Sequence, residues 1–137
     1  MDDLRYALHG IDTTFYNASC IGCQQVAEKL LKHVIVIEVL DQDPLILKTH
    51  NLKKLVRYIN NQRPKLIKDT KDLDILSTFY FDARYPGSEF IIAEASDAKE
   101  SFTTVLTLYK IISSIVKVDP EDYLDADKYL LYLTEMK

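Results

Sequence analysis

Apolar residues recur at three- and four-residue spacing over long stretches of this chain, and only three glycines and four prolines interrupt its 137 residues. That pattern selects helix, because sheet needs period-two alternation and frequent tight turns. The spacing predicts six helical segments. The first starts at Asp2 or Asp3, acids suited to a first turn, and puts Leu4, Ala7, Leu8 and Ile11 on one face. The second runs from Phe15 or Tyr16 towards Leu40, with Cys20, Cys23, Val26 or Ala27, Leu30, Leu31 and Val34 inward. Its Val34-Ile35-Val36-Ile37 run has strand propensity, but no partner strand is visible, so helix is expected there. The third spans about His50 to Asn60, capped by Thr49, with a stripe of Leu52, Leu55, Val56 and Ile59.

The remaining segments carry clearer punctuation. The fourth runs from about Asp72 to Tyr85 on Leu73, Leu76, Phe79 and Tyr80. Asp97-Ala98-Lys99-Glu100 fits a capping box that opens the fifth, which reaches about Val116 with Phe102, Val105, Leu106, Leu108, Tyr109, Ile112 and Ile115 as its apolar cover. Asp119-Pro120-Glu121-Asp122 combines a cap, a proline at the first position and acids in the first turn, so a sixth helix follows to about Thr134. The chain is therefore expected to be all-α.

Composition narrows the class. Apolar residues make up 47 % and charged residues 28 %, which fits a folded globular domain and not a disordered one. The beginning, Met1-Asp2-Asp3-Leu4-Arg5-Tyr6, lacks a basic segment followed by an apolar run, and no apolar run approaches bilayer length. The expectation is a cytoplasmic protein without a membrane partner, its two cysteines reduced. The net charge of −4 hides an asymmetry. From Lys48 to Lys71 the basic residues are Lys48, Lys53, Lys54, Arg57, Arg63, Lys65, Lys68 and Lys71, against Asp69 alone, whereas the tail after Val118 is rich in acids. A basic middle attracts phosphate, or it is simply a solvated face balanced by the tail.

Most motifs that carry chemistry are absent. There is no P-loop, dinucleotide fingerprint, zinc-protease motif or nucleophile elbow, so no cofactor is predicted. Cys20-Ile21-Gly22-Cys23 lacks both the strand–helix setting of a redox pair and two further ligands for zinc, so the thiols read as core and no metal is expected. His50, beside Asn51, Lys53 and Lys54, reads as a structural histidine, a phosphate contact or a general base. The sharpest candidate lies in Tyr80-Phe81-Asp82-Ala83-Arg84-Tyr85-Pro86-Gly87, where Pro86 and Gly87 stop the fourth helix. Arg84 in its last turn suits a planar bidentate partner, either a carboxylate such as Glu28 or a ligand phosphate.

Four segments together resemble the HEPN domain, the helical domain found beside minimal nucleotidyltransferases. Asp3-Leu4-Arg5-Tyr6-Ala7 looks like its opening, and Gln24-Gln25-Val26-Ala27-Glu28-Lys29-Leu30-Leu31-Lys32 is similar to its second-helix motif. His50-Asn51-Leu52-Lys53-Lys54-Leu55 resembles its H-[DN]-L-x-x-L, and Asp82-Ala83-Arg84-Tyr85-Pro86 its A-R-Y-P ending. The likeness covers roughly residues 2–116. It implies an up-and-down bundle of four to five core helices over residues 1–118; residues 119–137 lie outside the likeness and, from their own helix signals, are expected to form a C-terminal helical extension packed on the bundle or dimer. It also implies a homodimer, a possible nucleotidyltransferase partner in a two-gene, toxin–antitoxin-like system, and nucleotide or RNA as ligand. The ligand-binding residues so implied are Arg84, Asp82, Tyr85, Glu28, Lys29, Lys32, His50 and Lys53. Ribonuclease members of the family place a histidine four to six residues after the arginine. Here Ser88, Glu89, Phe90 and Ile91 follow Arg84 and no histidine comes later, so the usual proton-transfer group is missing. The leading expectation is a non-catalytic binding domain. The alternatives are a metal-independent ribonuclease using Arg84 with another base such as His50, and a purely structural dimerisation or interaction module.

Overall fold

The computed structural model describes residues 16–39, 43–62, 67, 73, 76 and 94–116. They form an all-α fold: helix α1 (Tyr16–Glu38), a short 3-10 helix (Pro44–Lys48), α2 (Leu52–Gln62) and α3 (Ala95–Ser113). There is no strand among the described residues. The central element is α1, which packs most extensively on α3 and also on α2.

The apolar spacing of α1 explains its position. Cys20, Cys23, Ala27, Leu31 and Val34 recur at three- and four-residue steps and are fully buried. Gly22, Gln24, Val26, Glu28 and Ile35 are buried as well, so the helix is enclosed on more than one side. The run from Val34 to Ile37 is helical throughout. Val34 and Ile35 are sealed in the core while Val36 and Ile37 are 53 % and 49 % exposed. Burial of half the run on a helical face outweighs its strand propensity.

The connection after α1 contains an element that the apolar spacing did not signal. Asp43 caps the 3-10 helix by accepting from the Leu45 N–H at 3.0 Å, and Pro44 occupies the first position. The Asp43 N–H donates to the Tyr58 hydroxyl at 2.9 Å, tying this turn to α2. The turn ends at Thr49.

The start of α2 corrects the expected cap. Asn51, not Thr49, caps the helix: its Oδ1 accepts from the Lys54 N–H at 3.2 Å. The Thr49 hydroxyl instead accepts from the Asn51 N–H at 3.1 Å, one step earlier. The stripe is as expected, with Leu52, Leu55, Val56 and Ile59 buried. The helix continues past Asn60 to Gln62. Asn60 then clasps a later residue in both directions: its Nδ2 donates to the Ile67 carbonyl at 2.9 Å, and its Oδ1 accepts from the Ile67 N–H at 3.1 Å. Ile67 is buried in the core. Of the expected fourth helix, Leu73 and Leu76 are described; both are helical and buried.

The N-terminus of α3 lies three residues earlier than the expected Asp97. Glu94 is the cap residue, and its carbonyl accepts from the Ala98 N–H at 3.1 Å. Asp97 is the third helical residue and reaches back, its Oδ2 accepting from the Glu94 N–H at 2.9 Å. The capping box is real but is built from Glu94 and Asp97. Ala98, Phe102, Val105, Leu106, Leu108, Tyr109 and Ile112 are buried, and Ile115 packs against the core. The expected first and sixth helices, and residues 119–137, lie outside the described residues.

Candidate functional site

One stripe of α1 carries Gln24, Glu28 and Lys32, spaced four residues apart so that they line up along the helix. Gln24 and Glu28 meet His50, in the link between the 3-10 helix and α2. Gln24 is fully buried, and its Nε2 donates to the His50 carbonyl at 3.2 Å. One turn later, Glu28 Oε1 accepts from Lys32 Nζ at 2.9 Å and lies 2.6 Å from His50 Nδ1. An ionised carboxylate only accepts, so Nδ1 carries the proton at this contact. His50 is thus held twice from α1, once by its backbone and once by its ring.

The cluster is graded from core to solvent. The side chains of Glu28, Lys32 and His50 are 10 %, 22 % and 50 % exposed, respectively. A carboxylate this enclosed needs compensation, and two nitrogen donors on one oxygen provide it. Gln24 Oε1 and Ser19 Oγ are buried without a hydrogen-bond partner. Each such group costs on the order of 1–3 kcal/mol.

The first turn of α2 adds charge of one sign. It contains Lys53 and Lys54 and no acid, at the end of the helix where exposed N–H groups and the dipole already favour negative charge. Lys53, Lys54 and Lys29 on α1 are exposed. Of the residues expected at the site, Glu28, Lys32 and His50 come together directly. Arg84, Asp82 and Tyr85 lie outside the described residues, as does any pairing of Arg84 with Glu28. Gln24 was missed as a site residue; its signal was its place one helical turn before Glu28.

The thiols belong to the core. Cys20 and Cys23 are free and fully buried. The Ser101 hydroxyl approaches Cys20 Sγ at 3.7 Å. Burial pushes the Cys20 thiol up to about 11 despite that hydrogen bond, and burial, then the neighbouring Cys20, pushes Cys23 up as well. Neither is a ready nucleophile or metal ligand. Among the described residues no group of three or more His, Cys, Asp or Glu side chains is placed to hold a metal ion. None of the described helices is long and apolar enough to cross a membrane.

A comparison with protein families gives a match to the HEPN domain over residues 1–116. The chain belongs to the HEPN domain family. Membership gives it a nucleotide- or RNA-related role at the level of the family. No curated protein and no solved structure matches it. Within this HEPN domain, the second-helix motif and the H-N-L motif, well separated in sequence, are the segments that Gln24, Glu28 and His50 join.

Proposed function

We propose that this HEPN domain is a non-catalytic binding module for the phosphate groups of a nucleotide or RNA, and that it works as a homodimer beside a minimal nucleotidyltransferase in the cytoplasm. The observation that carries the ligand is the start of α2. A helix ordinarily favours acids there, and this one has Lys53, Lys54 and no acid in its first turn, next to the Lys32–Glu28–His50 cluster. A local electrostatic mismatch of this kind is relieved by an anion at the helix N-terminus. The site residues on this reading are Glu28, Lys29, Lys32, His50 and Lys53, with Arg84, Asp82 and Tyr85 as further candidates. Titration with nucleotides and short single-stranded RNA gives saturable binding that weakens as salt rises. Absence of binding at low salt removes the ligand from this reading.

One observation favours a second reading. The Glu28 carboxylate fixes His50 through Nδ1, an arrangement that also suits an imidazole exchanging a proton through its other nitrogen. On that reading the domain is a metal-independent ribonuclease using Arg84 with His50 as base. RNA cleavage that disappears in both Arg84→Ala and His50→Ala supports it, and cleavage undiminished by either change excludes it.

A further inference from the structure

Lys32 and His50 do not meet separate acceptors. Both approach the same oxygen of Glu28, at 2.9 Å and 2.6 Å. Two nitrogen donors converging on one anionic oxygen is also the arrangement that a phosphate oxygen requires. The exposure of the three side chains is ordered in a particular way. His50 and Lys32 are the more open, and Glu28 lies behind them against the core. The acid that balances this corner comes from α1, since α2 has none in its first turn.

From this we infer that Glu28 is an internal competitor for the ligand phosphate. Its carboxylate occupies the two donors when the site is empty, and a nucleotide or RNA phosphate must draw Lys32 and His50 away from it. This inference rests on the phosphate-binding reading above and adds to it the residue that limits affinity. A pair of donors without an internal anion would bind phosphate more tightly and less selectively, because any anion would satisfy it. With Glu28 present, a ligand succeeds only if its remaining contacts offset the like-charge repulsion from a carboxylate close by.

The test measures dissociation constants for AMP and for a short fluorescein-labelled single-stranded RNA at low salt, using the wild-type chain, Glu28→Gln, Lys32→Ala and His50→Gln. The two ligands separate a free nucleotide from an RNA phosphodiester as the source of the phosphate. Glu28→Gln keeps the shape and removes the charge, so it tightens binding by about tenfold for the ligand that binds. Lys32→Ala and His50→Gln weaken it. Unchanged or weaker binding by Glu28→Gln overturns the inference and leaves Glu28 as a clamp for His50. If Glu28→Gln does not fold by circular dichroism, Glu28→Asp, which withdraws the charge by one methylene, must shift affinity in the same direction, and a failure to do so is equally decisive. Binding of neither ligand by the wild type or by Glu28→Gln instead sinks the phosphate-binding reading itself.

Discussion

At the scale of single residues, the molecule separates its polar side chains into anchored and inert ones. His50 is anchored, its carbonyl held by Gln24 and its ring by Glu28. Cys20 and Cys23 are inert, because burial holds both thiols in the neutral form. That shift has a thermodynamic consequence with a definite sign. A cysteine ionises from its ordinary value of 9.0 in the unfolded chain, and Cys20 from about 11 in the folded one. Below pH 9 both states keep the proton and the thiol contributes no pH dependence. As pH rises from 9 towards 11 the unfolded chain loses its proton first, so folding stability falls. Urea unfolding between pH 8 and pH 11 is expected to show this loss, and Cys20→Ala to reduce it, with Cys23 supplying a loss of the same sign. Identical pH profiles for the two proteins would remove Cys20 as a cause.

At the scale of elements, the ends of the helices are set by short hydrogen-bonding choices that several residues compete to make. Asn51 and Thr49 both qualify as the cap of α2, yet only the Asn51 oxygen reaches the Lys54 N–H. Asn51→Ala is therefore expected to cost about 1 kcal/mol in chemical denaturation, and Thr49→Ala less. The reverse ranking would return the cap to Thr49. The same competition explains what was and was not legible beforehand. The stripes of α1, α2 and α3 were readable because each repeats a 3.6-residue period over several turns. The starts of α2 and α3 were misplaced because Thr49 and Asp97 are as good a cap in sequence as Asn51 and Glu94. The 3-10 helix at Pro44–Lys48 is too short to establish any period. At the candidate site, the motifs around Glu28 and His50 were readable through their family likeness. Their direct contact was not, since it joins residues 22 positions apart across two elements. Arg84, the sharpest expectation in the sequence, lies outside the described residues, and the part of the site that is described is centred on His50.

At the scale of the whole molecule, α1 against α3 is the most extensive helix–helix packing among the described residues. Phe102 and Leu31 are fully buried, and Leu106 and Ile112 extend the same core along α3. Truncating Phe102→Ala removes a large side chain from a close-packed interior and is expected to cost about 3–5 kcal/mol. Urea unfolding with an unchanged slope measures this loss. A cost below 1 kcal/mol would mean that the α1–α3 interface contributes little to stability. Loss of that interface would also release the platform from which Gln24 and Glu28 hold His50, so the proposed site depends on the packing of α1.

The two sealed thiols give this dependence an unusual handle. Cys20 sits opposite Ser101 of α3 and is fully buried, so a water-soluble thiol reagent reaches it only when the packing around it opens. The rate of thiol labelling under native conditions then reports opening events that expose Cys20, without any denaturant. On the phosphate-binding proposal, a ligand that clamps the His50 corner is expected to slow those events, so that occupancy would be read through the chemistry of a side chain buried in the core.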